Sequence, residues 1–202
     1  MLKAAIKVGP ADHGRPMSLA DFDHAEVQEG YLYELGRGVI VVSDVPKKKH
    51  LYQVDAIKDQ LRAYKLGHPG RIQIIAGGGE CKILVVGYES ERHPDLAIYK
   101  TVPPEEGEDF WSTWIPELVI EVVSPGSELR DYQEKREEYL AFGVHEYWIF
   151  DADKQEMLVL QRVGGRWREK VVRPPEIYQT RVLPGLQFSC ASVFQAANRA
   201  DN

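Results

Sequence analysis

Asp95 follows His93-Pro94 at the head of an apolar run, and Glu121 interrupts a second, nearly unbroken run, ELVIEVV at 117–123. Two carboxylates presented by neighbouring strands can share one divalent cation. Mg2+, with Mn2+ as its substitute, suits such a site because it takes one or two carboxylates and completes its shell with waters and phosphate oxygens. Glu121 has the stronger need of a partner: an unpaired carboxylate in a strand buried on both faces costs several kcal/mol or takes up a proton. Lys135 lies beyond that strand, four residues after Asp131. A flexible ammonium there can reach a nucleophilic water or the charge developing on phosphorus. The same residues also admit plainer roles. Pro-Asp opens many strands and turns, Glu121 can pair with Arg71 or Lys82, and Asp131–Lys135 is an ordinary i,i+4 helix pair.

The elements that must position these groups are legible as patterns. Ser18 caps a short helix in SLADFDHAEVQ, and YLYELGRGVIVVS reads as a hairpin turning at Gly36-Arg37-Gly38, with Glu34 in its first strand. Over 46–66, His50, Val54, Ile57, Leu61 and Tyr64 recur at steps of four and three, the apolar face of a helix with Pro46 in its first turn. RIQIIA, KILVVGY, HPDLAIYK and ELVIEVV have strand composition, residues 128–142 form a second helix ended by Gly143, and HEYWIFD is a further strand. A hairpin at Gly164-Gly165, a short strand near RVLPGLQF and a helix from Ser192 complete the chain. This predicts a loose arm at 1–17, a single domain at 18–195 and a tail at 196–202.

Several chemistries are excluded. Gly77-Gly78-Gly79 with Lys82 lacks the P-loop spacing and leads into a strand. Ser124 is no nucleophile of the elbow type, because Pro125 has no backbone N–H for an oxyanion hole. The six histidines include no HExxH, and Cys81 and Cys190 are too few for a disulfide framework. No stretch is apolar enough to span a membrane and no secretory leader is visible, so a cytoplasmic chain is expected.

The 25 basic against 31 acidic side chains, a formal charge of −6, speak against a polyanionic partner only at first sight. Glu105, Glu106, Glu108 and Asp109 crowd into one loop, beside Trp111 and Trp114, which can either pack or stack on bases. Lys47, Lys48 and Lys49 stand at a helix start, where cations oppose the macrodipole unless a phosphate lies nearby. With Arg62, Lys65 and Arg71 they can form a DNA-contacting groove.

The order helix–strand–strand–strand–helix–strand, with Pro-Asp followed by a strand-borne Glu, resembles the PD-(D/E)xK nuclease fold. The string from His93 to Asp151, with HPDLAIY, PELVIEVVSPGS and RDYQEKREEYLAFGVHEYWIFD, resembles the Uma-two family of putative restriction endonucleases, as do YELGRGVIV, the helix opening at His50, and VLPGLQF. The resemblance implies an α/β domain with a restriction-endonuclease-like core, a mixed sheet, and added N- and C-terminal β-hairpins. It implies hydrolysis of DNA by a divalent-cation-activated water, with Asp95, Glu121 and Lys135 catalytic. The metal would sit on Asp95 and Glu121, with Glu34 as a further candidate ligand and His50 as an auxiliary. Val123 stands where the wider fold places its lysine, so Lys135 matches the variants whose lysine has moved to the next helix. A homodimer is implied too. The competing expectation is a nuclease scaffold that binds DNA without cutting it. Glycoside hydrolysis also uses paired carboxylates, but would leave Lys135 and the basic run without a role.

Overall fold

The computed structural model describes residues 6–105 and 110–199. In chain order its elements are β1 (Lys7–Val8), α1 (Leu19–Asp23), β2 (Glu26–Val27), β3 (Tyr31–Gly36), β4 (Val39–Asp44), α2 (Lys48–Gly67), β5 (Ile74–Ala76), β6 (Ile83–Val85), β7 (Ser90–Arg92), β8 (Leu96–Tyr99), α3 (Phe110–Thr113) and β9 (Leu118–Val122). There follow α4 (Lys135–Phe142), β10 (Glu146–Asp151), β11 (Glu156–Val163), β12 (Arg166–Val172), β13 (Ile177–Tyr178), β14 (Phe188–Ser189) and α5 (Cys190–Arg199).

A six-stranded sheet in the order β12-β11-β10-β9-β8-β5 is the scaffold, parallel only between β9 and β10. Alternation along the strands sends Leu118, Ile120 and Val122 to one face, where they pack with Ile57 and Leu61 of α2 and Val193 and Phe194 of α5. Val119, Tyr147 and Ile149 face the other way, onto Tyr139 of α4 and Ile83 of β6. Glu121 shares the parity of Val119 and is thereby turned toward α4. The helix, three strands, helix and strand expected as the core are α2, β5, β8, β9, α4 and β10.

Two of the sequence expectations change. KILVVGY supplies β6, but β6 leaves the central sheet and pairs with β7, completing a second sheet in the order β4-β3-β7-β6. Its polar sequence, Ser-Glu-Arg, hides β7 from a hydrophobicity reading, although all three residues are buried. The C-terminal hairpin β11–β12 is likewise an extension of the central sheet beyond β10 rather than an appendage. The N-terminal hairpin turns at Arg37 and Gly38, both with positive φ, as a tight two-residue turn requires.

Smaller differences follow from packing. In the expected arm, β1 pairs with β2, Val8 is buried, and the Val42 N–H donates to His13 Nδ1. Pro46 lies before α2, which is capped at Lys47. The short strand expected near RVLPGLQF is β14, which begins at Phe188 after a turn over 181–187. α5 starts at Cys190 and runs into the expected tail as far as Arg199, burying Ala196 and Ala197. Trp114 stacks on Tyr99 at 3.7 Å and Trp111 packs edge-on against Phe110, so the loop tryptophans are engaged inside the fold. Glu106, Glu108 and Asp109 of the acidic loop lie outside the described residues. Both cysteines are free and buried, and no described helix is long and apolar enough to cross a membrane.

Candidate active site

The register Leu96↔Ile120 brings Asp95, one residue before β8, opposite Glu121 on β9. Asp95 Oδ2 accepts the Val122 N–H at 2.7 Å and lies 3.0 Å from His50 Nε2 on the first turn of α2. Glu121 Oε2 faces the Asp95 N–H at 3.4 Å. Its Oε1 accepts from Lys135 Nζ at 3.0 Å and from the Tyr139 hydroxyl at 2.7 Å, which settles what holds this carboxylate: neither Arg71 nor Lys82. Lys82 pairs instead with Asp23 and Glu91.

Lys135 reaches Glu121 because the helix around it is irregular. Residues Arg130–Glu134 make one π-helical turn, in which the Lys135 N–H bonds the Arg130 carbonyl. Such turns are rare and favour functional sites. The ammonium then lies 3.3 Å from Asp131 Oδ1 and 3.4 Å from Glu34 Oε1 on β3. Asp131 is held by the Ser127 hydroxyl at 2.5 Å.

A neighbouring network was not legible in sequence. Arg92, wholly buried, forks onto Glu138 with Nε and Nη2 at 2.7 and 2.9 Å, reaches Glu134 at 3.2 Å, and approaches Glu34 Oε2 at 3.4 Å. Glu34 also accepts the His93 N–H at 3.0 Å. Both of its oxygens are therefore spent on Arg92, His93 and Lys135. The signal available was an arginine two residues before Pro94 and glutamates at i,i+4 on the helix, a pattern too common to single out.

The electrostatics follow from crowding. Burial would raise the Glu34 carboxyl, but Lys135 and Arg92 outweigh it and hold the group at about 2. Glu121 is pushed up to about 8, first by burial and then by Asp95, Asp131 and Glu34, against the pull of Lys135. Asp131 is raised for the same reasons. Lys135 is raised because its three carboxylates overcome desolvation. His50 is raised too, its bond to Asp95 outweighing burial. One ammonium cannot neutralise three carboxylates, so the ion pair keeps Lys135 charged while the surplus is relieved by a proton on Glu121.

This surplus is the test of whether a divalent cation fits. The donor atoms are carboxylate oxygens, suited to a hard cation, and a cation would displace the proton that crowding forces onto Glu121. Among the described residues no three His, Cys, Asp or Glu side chains gather around one ion position. The residues that fit are Asp95 and Glu121, with water completing the shell. Glu34, expected as a third ligand, faces Lys135 and Arg92 instead. At the mouth of the site Lys47 and Lys48 are exposed, while Lys49 lies 3.5 Å from Asp153. Arg62 and Lys65 sit about 20–25 Å further along α2 by its rise per residue.

The comparisons with known proteins bear on the family and the fold. The family model Uma2, described as "Putative restriction endonuclease", matches residues 19–192. The crystal structure of a putative nuclease belonging to DUF820 from Anabaena variabilis superposes with a TM-score of 0.72 at 18% identity, over 90% of this chain and 99% of that one. That likeness establishes the fold, which is the restriction-endonuclease-like mixed α/β core expected from the sequence. No curated protein matches. With a family model spanning nearly the whole chain, the protein belongs to the Uma-two family of putative restriction endonucleases, a nuclease family.

Proposed function

We propose that this protein is a Mg2+-dependent DNA endonuclease whose reacting groups are Asp95, Glu121 and Lys135. The observation that carries the reading is the convergence of three side chains, from the residue before β8, from β9 and from α4: Asp95 and Glu121 opposite one another, with Lys135 Nζ 3.0 Å from Glu121. Asp95 and Glu121 would hold the cation, for which Mn2+ can substitute, and when bound it supplies an acidified water and neutralises charge on the phosphate.

The protein's own groups do the rest. Lys135, kept charged by Glu34 and Asp131, presents a donor to the attacking water or to a non-bridging oxygen as charge builds there. Glu34 and Asp131 aim that ammonium and so act as positioning residues. His50 holds a proton at Nε2 toward Asp95 Oδ2, fixing the carboxylate, and its buried Nδ1 is without a partner among the described residues. Lys47 and Lys48, at a helix start with no acidic residue in its first turn, suit a phosphate backbone. Cutting both strands of a duplex calls for two such sites, so a homodimer is the assembly this reading expects.

Plasmid nicking in Mg2+ or Mn2+ tests it. Wild-type protein should convert supercoiled DNA to open circles, and Asp95→Ala or Glu121→Ala should abolish this; nicking that survives both substitutions removes the assignment. A scaffold that binds DNA without cutting is favoured by one feature, the ammonium already bridging Glu34, Glu121 and Asp131. Calorimetry separates the two: DNA binding without Mg2+ binding at millimolar concentration supports the non-cutting reading.

A further inference from the structure

A cleft of about 450 Å³ opens between the end of the β3–β4 hairpin and the turn that precedes α4. Six of its lining residues matter here: His13, Tyr31, Ser43, Asp44, Gly126 and Arg130. Its position follows from the chain. Arg130 precedes Asp131, which holds Lys135; Tyr31 and Glu34 share strand β3; and Asp44 is joined to Lys47 through Val45 and Pro46 alone. The cleft therefore lies a short stretch of chain from the groups that hold Lys135 and from the start of the basic run.

Its chemistry is not that of a structural void. The Arg130 Nε is buried with no partner among the described residues, while Nη1 makes only a long bond of 3.3 Å to the Gly126 carbonyl. A guanidinium left with an unanswered donor is suited to an anionic oxygen, since its planar fork matches phosphate. Across the cleft, Tyr31 exposes 37% of its surface, an aromatic face at the rim of a polar hollow. Asp44 adds a carboxylate that suits the amino edge of a base and repels a phosphate, while the Ser43 hydroxyl can serve either, so the favoured orientation puts the phosphate on Arg130 and the base toward the hairpin. The volume falls within the ~300–1,000 Å³ of ordinary small-molecule sites, enough for one nucleotide and too little for a base pair with its backbone.

The geometry points to this cleft as the seat of one unpaired nucleotide of single-stranded DNA, adjoining the phosphate presented to Asp95, Glu121 and Lys135. The inference rests on the nuclease reading and adds to it a substrate preference: DNA with a single-stranded tail or displaced base is bound in preference to intact duplex. A base already out of the stack avoids the unstacking cost that a paired base must meet.

Fluorescence anisotropy of the full chain in EDTA, with a labelled blunt duplex and the same duplex carrying a single-stranded tail, tests it. The tail should tighten binding about tenfold, the equivalent of about 1.4 kcal/mol. Arg130→Gln and Tyr31→Ala should each remove most of that gain while leaving the blunt-duplex affinity and the unfolding midpoint as in wild type. No gain from the tail in wild-type protein, or a gain that survives both substitutions, overturns the inference. Plasmid cleavage on the same preparations keeps the two readings apart. Cleavage lost in Asp95→Asn with no tail effect removes the cleft and leaves the nuclease. A tail effect lost in both cleft variants, without any wild-type cleavage, removes the nuclease and leaves the cleft.

Discussion

Lys135 Nζ lies 3.0 Å from Glu121 Oε1, and both side chains are almost wholly withdrawn from water. The pair is part of a larger balance, because the same ammonium serves Glu34 and Asp131. Lys135→Met removes the shared cation and leaves three buried carboxylates facing one another. Deleting one partner of a buried pair commonly costs about 3–5 kcal/mol. Urea unfolding at neutral pH should show a loss of that order, smaller in mild acid where Asp131 takes up a proton as well.

Glu121 should also shape the pH dependence of stability. Its carboxyl is raised from 4.5 to about 8, so between those values the folded chain holds a proton that the unfolded chain has released. Stability from this group is fully present below its ordinary value and falls as pH rises through the window, by at most about 1.4 kcal/mol per pH unit. Glu121→Gln stays neutral throughout and should flatten the profile. Parallel curves for wild type and Glu121→Gln, from denaturant titrations across that range, would sink the idea.

On the proposed reading a divalent cation would compete with the same proton. Mg2+ affinity should therefore rise with pH, by up to about tenfold per unit if one proton is displaced, and level off above the Glu121 value. Calorimetry in buffers of differing ionisation enthalpy would reveal the released proton. Asp95→Asn should weaken the binding, and Glu121→Gln should remove its pH dependence.

Gly77 is required by the approach of Asp95. A Cβ there would stand 2.0 Å from the Asp95 carbonyl oxygen, whereas one at Gly79 meets nothing within 4 Å. Gly77→Ala should cost about 1–3 kcal/mol, the range for overpacking, and displace the Asp95 backbone. Gly79→Ala should leave thermal unfolding almost unchanged.

Arg92→Lys tests the neighbouring clamp. Lysine keeps the charge but cannot reproduce the two-pronged bond to Glu138 while also reaching Glu134 and Glu34. A loss of about 2–4 kcal/mol is expected from a buried charge network left partly unpaired. An unfolding curve that overlays wild type would show that the fork adds nothing beyond its charge.

Where sequence reading succeeded, the signal was local. Glu121 betrayed itself as a charge in an otherwise apolar strand, and α2 by its three-four spacing. The family resemblance singled out Lys135, which the fold brings to Glu121. Where it fell short, the missing information was long-range. The polar strand β7 is a strand only because β3 and β6 flank it. Arg92 matters only because Glu34, Glu134 and Glu138 come from two other elements.

By itself the sequence determined most of the succession of elements, the face that α2 buries and the parity that turns Glu121 away from α2, since these depend on spacing along one strand or one turn; the second helix instead buries Asp131, Lys135, Glu138 and Tyr139 and leaves Leu129 exposed. It also determined the family, through motifs spread over most of the chain. Only the tertiary structure decided which sheet β6 joins, that Glu34 turns to Lys135 and Arg92, and that three carboxylates crowd around one lysine. Those outcomes depend on distances between segments far apart in the chain, and the proton on Glu121 exists only when burial and neighbouring charges act on it together.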